Sequence, residues 1–232
     1  MGARGARHDV VGEGRRMTRS ALAHKLDAHC AALGACRQCG HDDSRVVPIL
    51  SPARAPKVML VGQAPGQVET GEGERRAFAG RAGKTMFRWL DRIGVDEPTF
   101  RSRVYIAAVT RCYPGPHPSG RGDRVPSRVE QERCGAWLSA ELSIIRPSLL
   151  IPVGRLAIEK FLPPSPLDQL IGTVHEVTHV GGRSRVIPLP HPSGASSWVN
   201  LPPNRALLER ALDLLGAELS ALWGANALRR SA

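Results

Sequence analysis

The sequence predicts an α/β protein, a three-layer α/β/α sandwich around a central, mainly parallel four-stranded sheet. Two observations lead there. Four short apolar runs, at residues 58–61, 104–109, 149–153 and 185–189, alternate with stretches whose apolar residues recur at helical spacing. Strands that alternate with helices pair in parallel and bury both faces of their sheet under those helices. At 232 residues the chain suffices for one such domain with a full core and is too short for two large ones. Residues 17–225 are read as that single domain, between a disordered basic tail at 1–16 and a short tail at 226–232.

Each element has its own signal. Leu22, Leu26, Cys30 and Leu33 mark an amphipathic helix over 17–33, which runs into Cys36-Arg37-Gln38-Cys39-Gly40. Residues 41–57 are polar and proline-bearing, irregular apart from a short strand at 46–50. The first core strand, Val58-Met59-Leu60-Val61, breaks at Gly62; Pro65 and Gly66 turn the backbone into a polar loop carrying Glu69, Phe78 and Gly80. A helix over 82–93 aligns Met86, Leu90 and Ile93 and stops at Gly94. The second strand is closed by Thr110-Arg111-Cys112-Tyr113-Pro114-Gly115, and the Gly-, Pro- and Arg-rich loop 115–126 is long enough to be functional or mobile. Ser127 and Glu130 have the spacing of a capping box, opening a helix with Cys134, Trp137, Leu138, Leu142 and Ile145 on one stripe. The third strand ends in Gly154 and a short helix follows to about residue 162. A proline-rich turn and a hairpin around Gly181-Gly182 occupy 163–184. The fourth strand runs out into Pro190-His191-Pro192-Ser193-Gly194, and Asn204 is the expected cap of a last, leucine-rich helix.

The formal charge is +11, and lysine stands only at Lys25, Lys57, Lys84 and Lys160, so the surplus is arginine. Arginine forks suit bidentate phosphate contacts, which puts nucleic acid first among partners; a base composition that favours arginine codons is the bland alternative. No apolar run approaches the ~20 residues that span a bilayer. The first residues lack the apolar core of a secretory signal and are a poor match for myristoylation, so the expectation is a cytoplasmic protein without a membrane partner, acting as a monomer.

Three strand ends carry residues unusual for connectors: Gln63 with Glu69, Ala108 with Cys112, and His191. In open α/β sheets the carboxyl ends of the strands hold the ligand crevice, so these ends are expected to share one cleft. Prolines on both sides fix the backbone of His191 and aim it away from the core. Phe78, between two alanines in a glycine-bounded loop, is either a core anchor or a stacking platform. Glu69 by itself would be a solvated charge.

The motifs Gly-Gln-Ala-Pro-Gly (62–66), Glu69, Ala-Phe-Ala-Gly (77–80), Val-Tyr-Ile-Ala-Ala-Val-Thr-Arg-Cys (104–112) and His-Pro-Ser-Gly (191–194) resemble, in order and spacing, the uracil-DNA glycosylase superfamily. The resemblance is closest to its iron–sulfur branches, families 4 and 5, and covers roughly residues 30–215. It implies a monofunctional DNA glycosylase of base-excision repair. Such an enzyme flips uracil or another deaminated base out of DNA and hydrolyses the N-glycosidic bond. By the same resemblance His191, Glu69 and Gln63 are the catalytic candidates. His191 would stabilise the departing base, Glu69 the cationic sugar and its water, and Gln63 would bond base or water. Gly62, Ala64, Phe78, Ala108 and Ser193 match substrate-binding positions, with Phe78 as the ring on which the base stacks. Two departures matter. Family 4 reads the uracil edge with an Asn where this chain has Ala108, and the aspartate expected in family 5 falls at Arg81. A range broader than uracil, hypoxanthine included, follows from the missing amide. The rival readings are a slow or non-catalytic binder of uracil or abasic DNA, and an enzyme of free nucleosides, which would have no use for a phosphate-binding surface.

A C-x-x-C pair by itself serves zinc knuckles, redox pairs and clusters alike. Here the layout resembles the [4Fe–4S] ligand set of families 4 and 5, which implies Cys36, Cys39, Cys112 and Cys134 as ligands, with Cys30 a bystander on the first helix. The resemblance also places residues 191–196 in the minor groove. Trp198 is either a wedge there or a core residue, and Arg121 and Arg124 either clamp phosphates or belong to a linker.

Overall fold

The computed structural model describes residues 18–39, 48–50, 56–70, 75–120, 122–193 and 198–224. Both proposed tails and residues 46–47 of the proposed short strand lie outside them. Among the described residues no helix is long and apolar enough to cross a membrane.

Among the described residues five strands form one sheet in the order β2-β1-β3-β5-β4. They are β1 (Val58–Gly62), β2 (Val104–Ala108), β3 (Leu149–Pro152), β4 (His175–His179) and β5 (Gly182–Val186). All four predicted core strands are present, and β1, β2, β3 and β5 pair in parallel. The fifth strand is a correction. The hairpin expected around Gly181-Gly182 forms, and its first arm, β4, adds antiparallel to β5 as a fifth strand that closes one edge of the sheet. Every residue of β1 and β3 is buried. Successive side chains point to opposite faces, so both faces are covered by helices.

Those helices are α1 (Arg19–Gly34), α2 (Gln67–Thr70), α3 (Arg81–Asp91), α4 (Glu97–Arg103), α5 (Arg128–Ile145), α6 (Arg155–Ile158), α7 (Leu167–Leu170) and α8 (Pro202–Trp223). The capping box at Ser127 and Glu130 forms as predicted. Three helices were not expected: α2, α4 and the short α7, which interrupts the proline-rich turn. Asp96 caps α4 by accepting from Thr99 N–H, with Pro98 in its first turn, and α2 converts part of the polar loop into a helical turn that carries Glu69. Asn204 does not cap the last helix: α8 starts at Pro202 after Leu201, and Asn204 instead donates from Nδ2 to the Trp198 carbonyl. Residues 48–50 form no strand, although Ile49 N–H bonds the Arg111 carbonyl.

The register decides where the site lies. Gly62 stands opposite Ala108, and Val61 opposite Pro152. Beyond Val186, backbone bonds from Ile187 N–H to Leu150 and from Leu189 N–H to Pro152 carry the pairing on to a bridge between Val153 and Leu189. Gly62, Ala108, Gly154 and His191 therefore leave the sheet on one edge.

A buried carboxylate ties the helices to that edge. Glu141 on α5 is fully buried and accepts from the Tyr105 hydroxyl at 2.8 Å, from the Arg111 guanidinium, and lies 3.2 Å from His29 Nε2 on α1. Removing one partner of such a pair leaves the other charge uncompensated in the core. Glu141→Ala is expected to lower unfolding free energy by about 3–5 kcal/mol in denaturant titration; wild-type stability would contradict this.

Candidate functional site

A cavity of about 950 Å³ opens at the shared strand edge. Gly62, Gln63, Ala64, Glu69, Phe78, Ala108, His191 and Ser193 all line it, so the structure brings every catalytic and substrate-binding candidate together.

Glu69 is only 8% exposed, although it follows a polar loop. One carboxylate oxygen accepts from Gly66 N–H at 2.7 Å and the other from Ala79 N–H at 3.1 Å, so the side chain fastens the turn after β1 to the segment before α3. Burial pushes its carboxyl above the usual range, against the opposing pull of the backbone donors around it.

Phe78 holds a left-handed backbone, φ 59°, which a bulky residue adopts only when its surroundings enforce it. The enforcement is visible. A Cβ on Gly83 of α3 would fall 1.8 Å from the Phe78 carbonyl oxygen, so only glycine lets the helix approach so closely. Arg101 on α4 donates to the carbonyls of Ala77 and Phe78 at 2.8 and 3.4 Å. The Phe78 ring lies against Gly62, where a Cβ would stand 3.3 Å from its edge. The ring both packs against the core and forms a wall of the cavity.

His191 is held by its own loop. Ser193 N–H donates to Nδ1 at 3.2 Å and the Ser193 hydroxyl lies 2.8 Å from the same nitrogen. With Nδ1 the acceptor, the neutral ring carries its proton on Nε2. Burial lowers the imidazole pKa, with a smaller opposing contribution from Asp123. The ring lies on Gly154, where φ is 84° and a Cβ would come within 2.9 Å of His191 Cδ2.

Two nominated DNA contacts are otherwise engaged. Arg124 forms a two-pronged pair with Glu130, at 2.7 and 2.6 Å, and this pairing holds the Glu130 carboxyl down at about 2. Arg124 thus fastens the loop to α5. Trp198 is partly buried against the core. Arg121, Ala195 and Ser196 lie outside the described residues.

Cys36 and Cys39 follow α1, Cys112 follows β2, and Cys134 lies on α5. Burial first, then repulsion from Cys39, Cys134 and Cys36, pushes the Cys112 thiol up to about 12; Cys134 rises to about 11, burial again leading. Cys36, Cys39, Cys112 and Cys134 lie near enough to influence one another, and four cysteine thiolates are the donor set an iron–sulfur cluster takes. No group of three or more potential ligands among the described residues stands closed around a metal-sized point. Cys30 belongs to other company, near Tyr105, Glu141 and Arg111.

A family model described as the uracil DNA glycosylase superfamily matches residues 48–224. The Type-4 uracil-DNA glycosylase of Archaeoglobus fulgidus is 32% identical over 175 residues, 72% of this chain and 81% of that protein. The chain belongs to the uracil-DNA glycosylase superfamily. The Type-4 uracil-DNA glycosylase of Thermotoga maritima is 31% identical over 137 residues, 59% of this chain and 65% of that protein. The Type-5 uracil-DNA glycosylase of Pyrobaculum aerophilum is 32% identical over 111 residues, 44% and 46% of the two chains.

For this member of the superfamily, sequence reasoning did not single out Asp123 and Arg111, which also line the cavity, or the part played by Gly154. The glycine was visible at a strand end, but nothing local says that an imidazole rests on it. Gly154→Ala adds a methyl into that ring and a side chain at positive φ. The substitution is expected to displace His191, seen as altered imidazole NMR shifts, and to cost about 1–3 kcal/mol of stability; unchanged shifts would separate Gly154 from His191.

Proposed function

We propose that this chain is a DNA glycosylase that hydrolyses the N-glycosidic bond of uracil, and of other deaminated bases such as hypoxanthine, in DNA during base-excision repair. One observation carries the reading: in a chain of this superfamily, Phe78, His191 and Glu69 from three separate segments wall a single cavity at the strand ends.

The residues supply what bond cleavage asks for. Extruding the base costs a few kcal/mol, least at a mispair, and stacking on Phe78 returns roughly 1–3 kcal/mol. As the C1′–N bond lengthens, negative charge gathers on the base carbonyl and positive charge on the sugar. Neutral His191 donates Nε2–H to that carbonyl, and a donor aligned with a developing charge acts on the barrier itself. The Glu69 carboxylate, fixed by two backbone donors, places negative charge beside the cationic sugar. Gln63 bonds base or water with its amide, while the backbones of Gly62 and Ala64 and the hydroxyl of Ser193 complete the wall. Ala108 offers no side-chain amide to the base edge, which supports a range wider than uracil.

Cys36, Cys39, Cys112 and Cys134 would hold a [4Fe–4S] cluster, which supplies a cationic core that gathers three chain segments into one fixed corner. Residues 17–225 act as one domain and as a monomer in the cytoplasm, and the +11 charge draws the protein to DNA.

Base release from duplexes carrying uracil or hypoxanthine tests the activity. Wild-type protein is expected to turn over repeatedly, and Glu69→Ala and His191→Ala to lose about 10²–10³-fold. Binding without turnover would make the chain a damage binder, and undiminished rates in the variants would remove those roles. Protein purified anaerobically is expected to absorb near 400 nm and to lose that band in Cys112→Ser; stoichiometric zinc without iron would overturn the cluster.

A further inference from the structure

Glu69 cannot serve every need for a carboxylate in this cavity. Both its oxygens are held by main-chain N–H groups and the side chain is almost wholly buried, so it is badly placed to take a proton from water. A second carboxylate, on a different segment, lines the same cavity. Asp123 is exposed, and its Oδ2 lies beside Gly66: a Cβ on Gly66 would stand 3.2 Å from Asp123 Oδ2 and 3.9 Å from Glu69 Oε2. The two acids thus flank one glycine.

The loop is built to hold Asp123 there. Pro116 and Asp123 form an antiparallel bridge, His117 N–H bonds the Gly122 carbonyl at 2.8 Å, and Arg124 N–H bonds the Gly115 carbonyl at 3.0 Å. The ion pair of Arg124 with Glu130 anchors the far arm to α5. The Tyr113 hydroxyl pairs with the Asp123 carboxylate, and the influence of Asp123 reaches His191. A negative charge at the mouth of a site meant for a polyanion weakens binding, so its presence there calls for a local use.

We propose that Asp123 is a catalytic residue of this site, the general base that holds and deprotonates the attacking water while Glu69 fixes the loop and stabilises the sugar cation. The C1′–N bond breaks and its electron pair leaves with the base, whose carbonyl is hydrogen-bonded by His191. Water oxygen forms the new bond to C1′, its proton passes to the Asp123 carboxylate, and that proton then returns to solvent or to the departing base. Two carboxylates in unlike surroundings take unlike roles. This inference rests on the glycosylase reading above.

The test is single-turnover release of uracil by Asp123→Asn, Asp123→Ala and Asp123→Glu, with affinity measured on a duplex carrying 2′-fluoro-2′-deoxyuridine, which resists cleavage. Asn keeps the shape of Asp123 and an acceptor for Tyr113 but not the basicity. Asp123→Asn is expected to bind the analogue at least as tightly as the wild type, since a charge that repels phosphate is gone, and to release uracil about 10²-fold or more slowly, with partial recovery in Asp123→Glu and with formate rescuing Asp123→Ala. A wild-type rate in Asp123→Asn, or a rate that falls only in step with affinity and is not rescued by formate, overturns the proposal while leaving the glycosylase reading intact. Failure of the wild type itself to release uracil overturns that reading, and this proposal with it.

Discussion

Parallel pairing of β1, β2, β3 and β5 is the constraint on which the rest depends. Parallel strands in close register must all end on the same side, and here Gly62 meets Ala108 while Val153 meets Leu189. Whatever follows each strand is delivered to one edge: the Gly62–Gly66 turn, Ala108 and the segment to Cys112, Gly154, and His191. The cavity arises from residues that are distant in sequence because the sheet leaves their backbones no other exit.

Electrostatics then differentiates those residues. Burial lowers the His191 pKa and the Ser193 N–H makes Nδ1 an acceptor; burial raises the Glu69 pKa while backbone donors hold the carboxylate in place. A deeper layer steadies the edge from behind. Glu141 joins Tyr105 and Arg111 of the β2 segment to His29 on α1, and those same three segments, α1, β2 and α5, lead to or carry the four cysteines. One buried carboxylate and one set of thiols therefore act on the same corner, and Arg111 runs from that corner into the cavity wall.

Much of this was legible in the residue order. Apolar runs located the four core strands because β1 and β3 are buried on both faces and so lack polar alternation. The Ser127 capping box and the α5 stripe are local signals and could be read locally. Glu141 sits on that stripe and was passed over, since its burial depends on Arg111 and Tyr105, far away in sequence. Asp123 was hidden in a loop whose composition says only Gly, Pro and Arg. Asn204 misled because a proline pair opens α8 two residues earlier and the amide finds Trp198 instead. The hairpin around Gly181-Gly182 was legible, but not that its first arm adds a fifth strand, because edge pairing is a property of the sheet, not of the segment.

The most direct measurement is a crystal structure of the protein on duplex DNA carrying 2′-fluoro-2′-deoxyuridine. The account predicts the uracil lifted from the helix into the strand-end cavity, its ring against Phe78 and a carbonyl oxygen about 3 Å from His191 Nε2. A uracil left stacked in the duplex, or lodged away from His191, would contradict it.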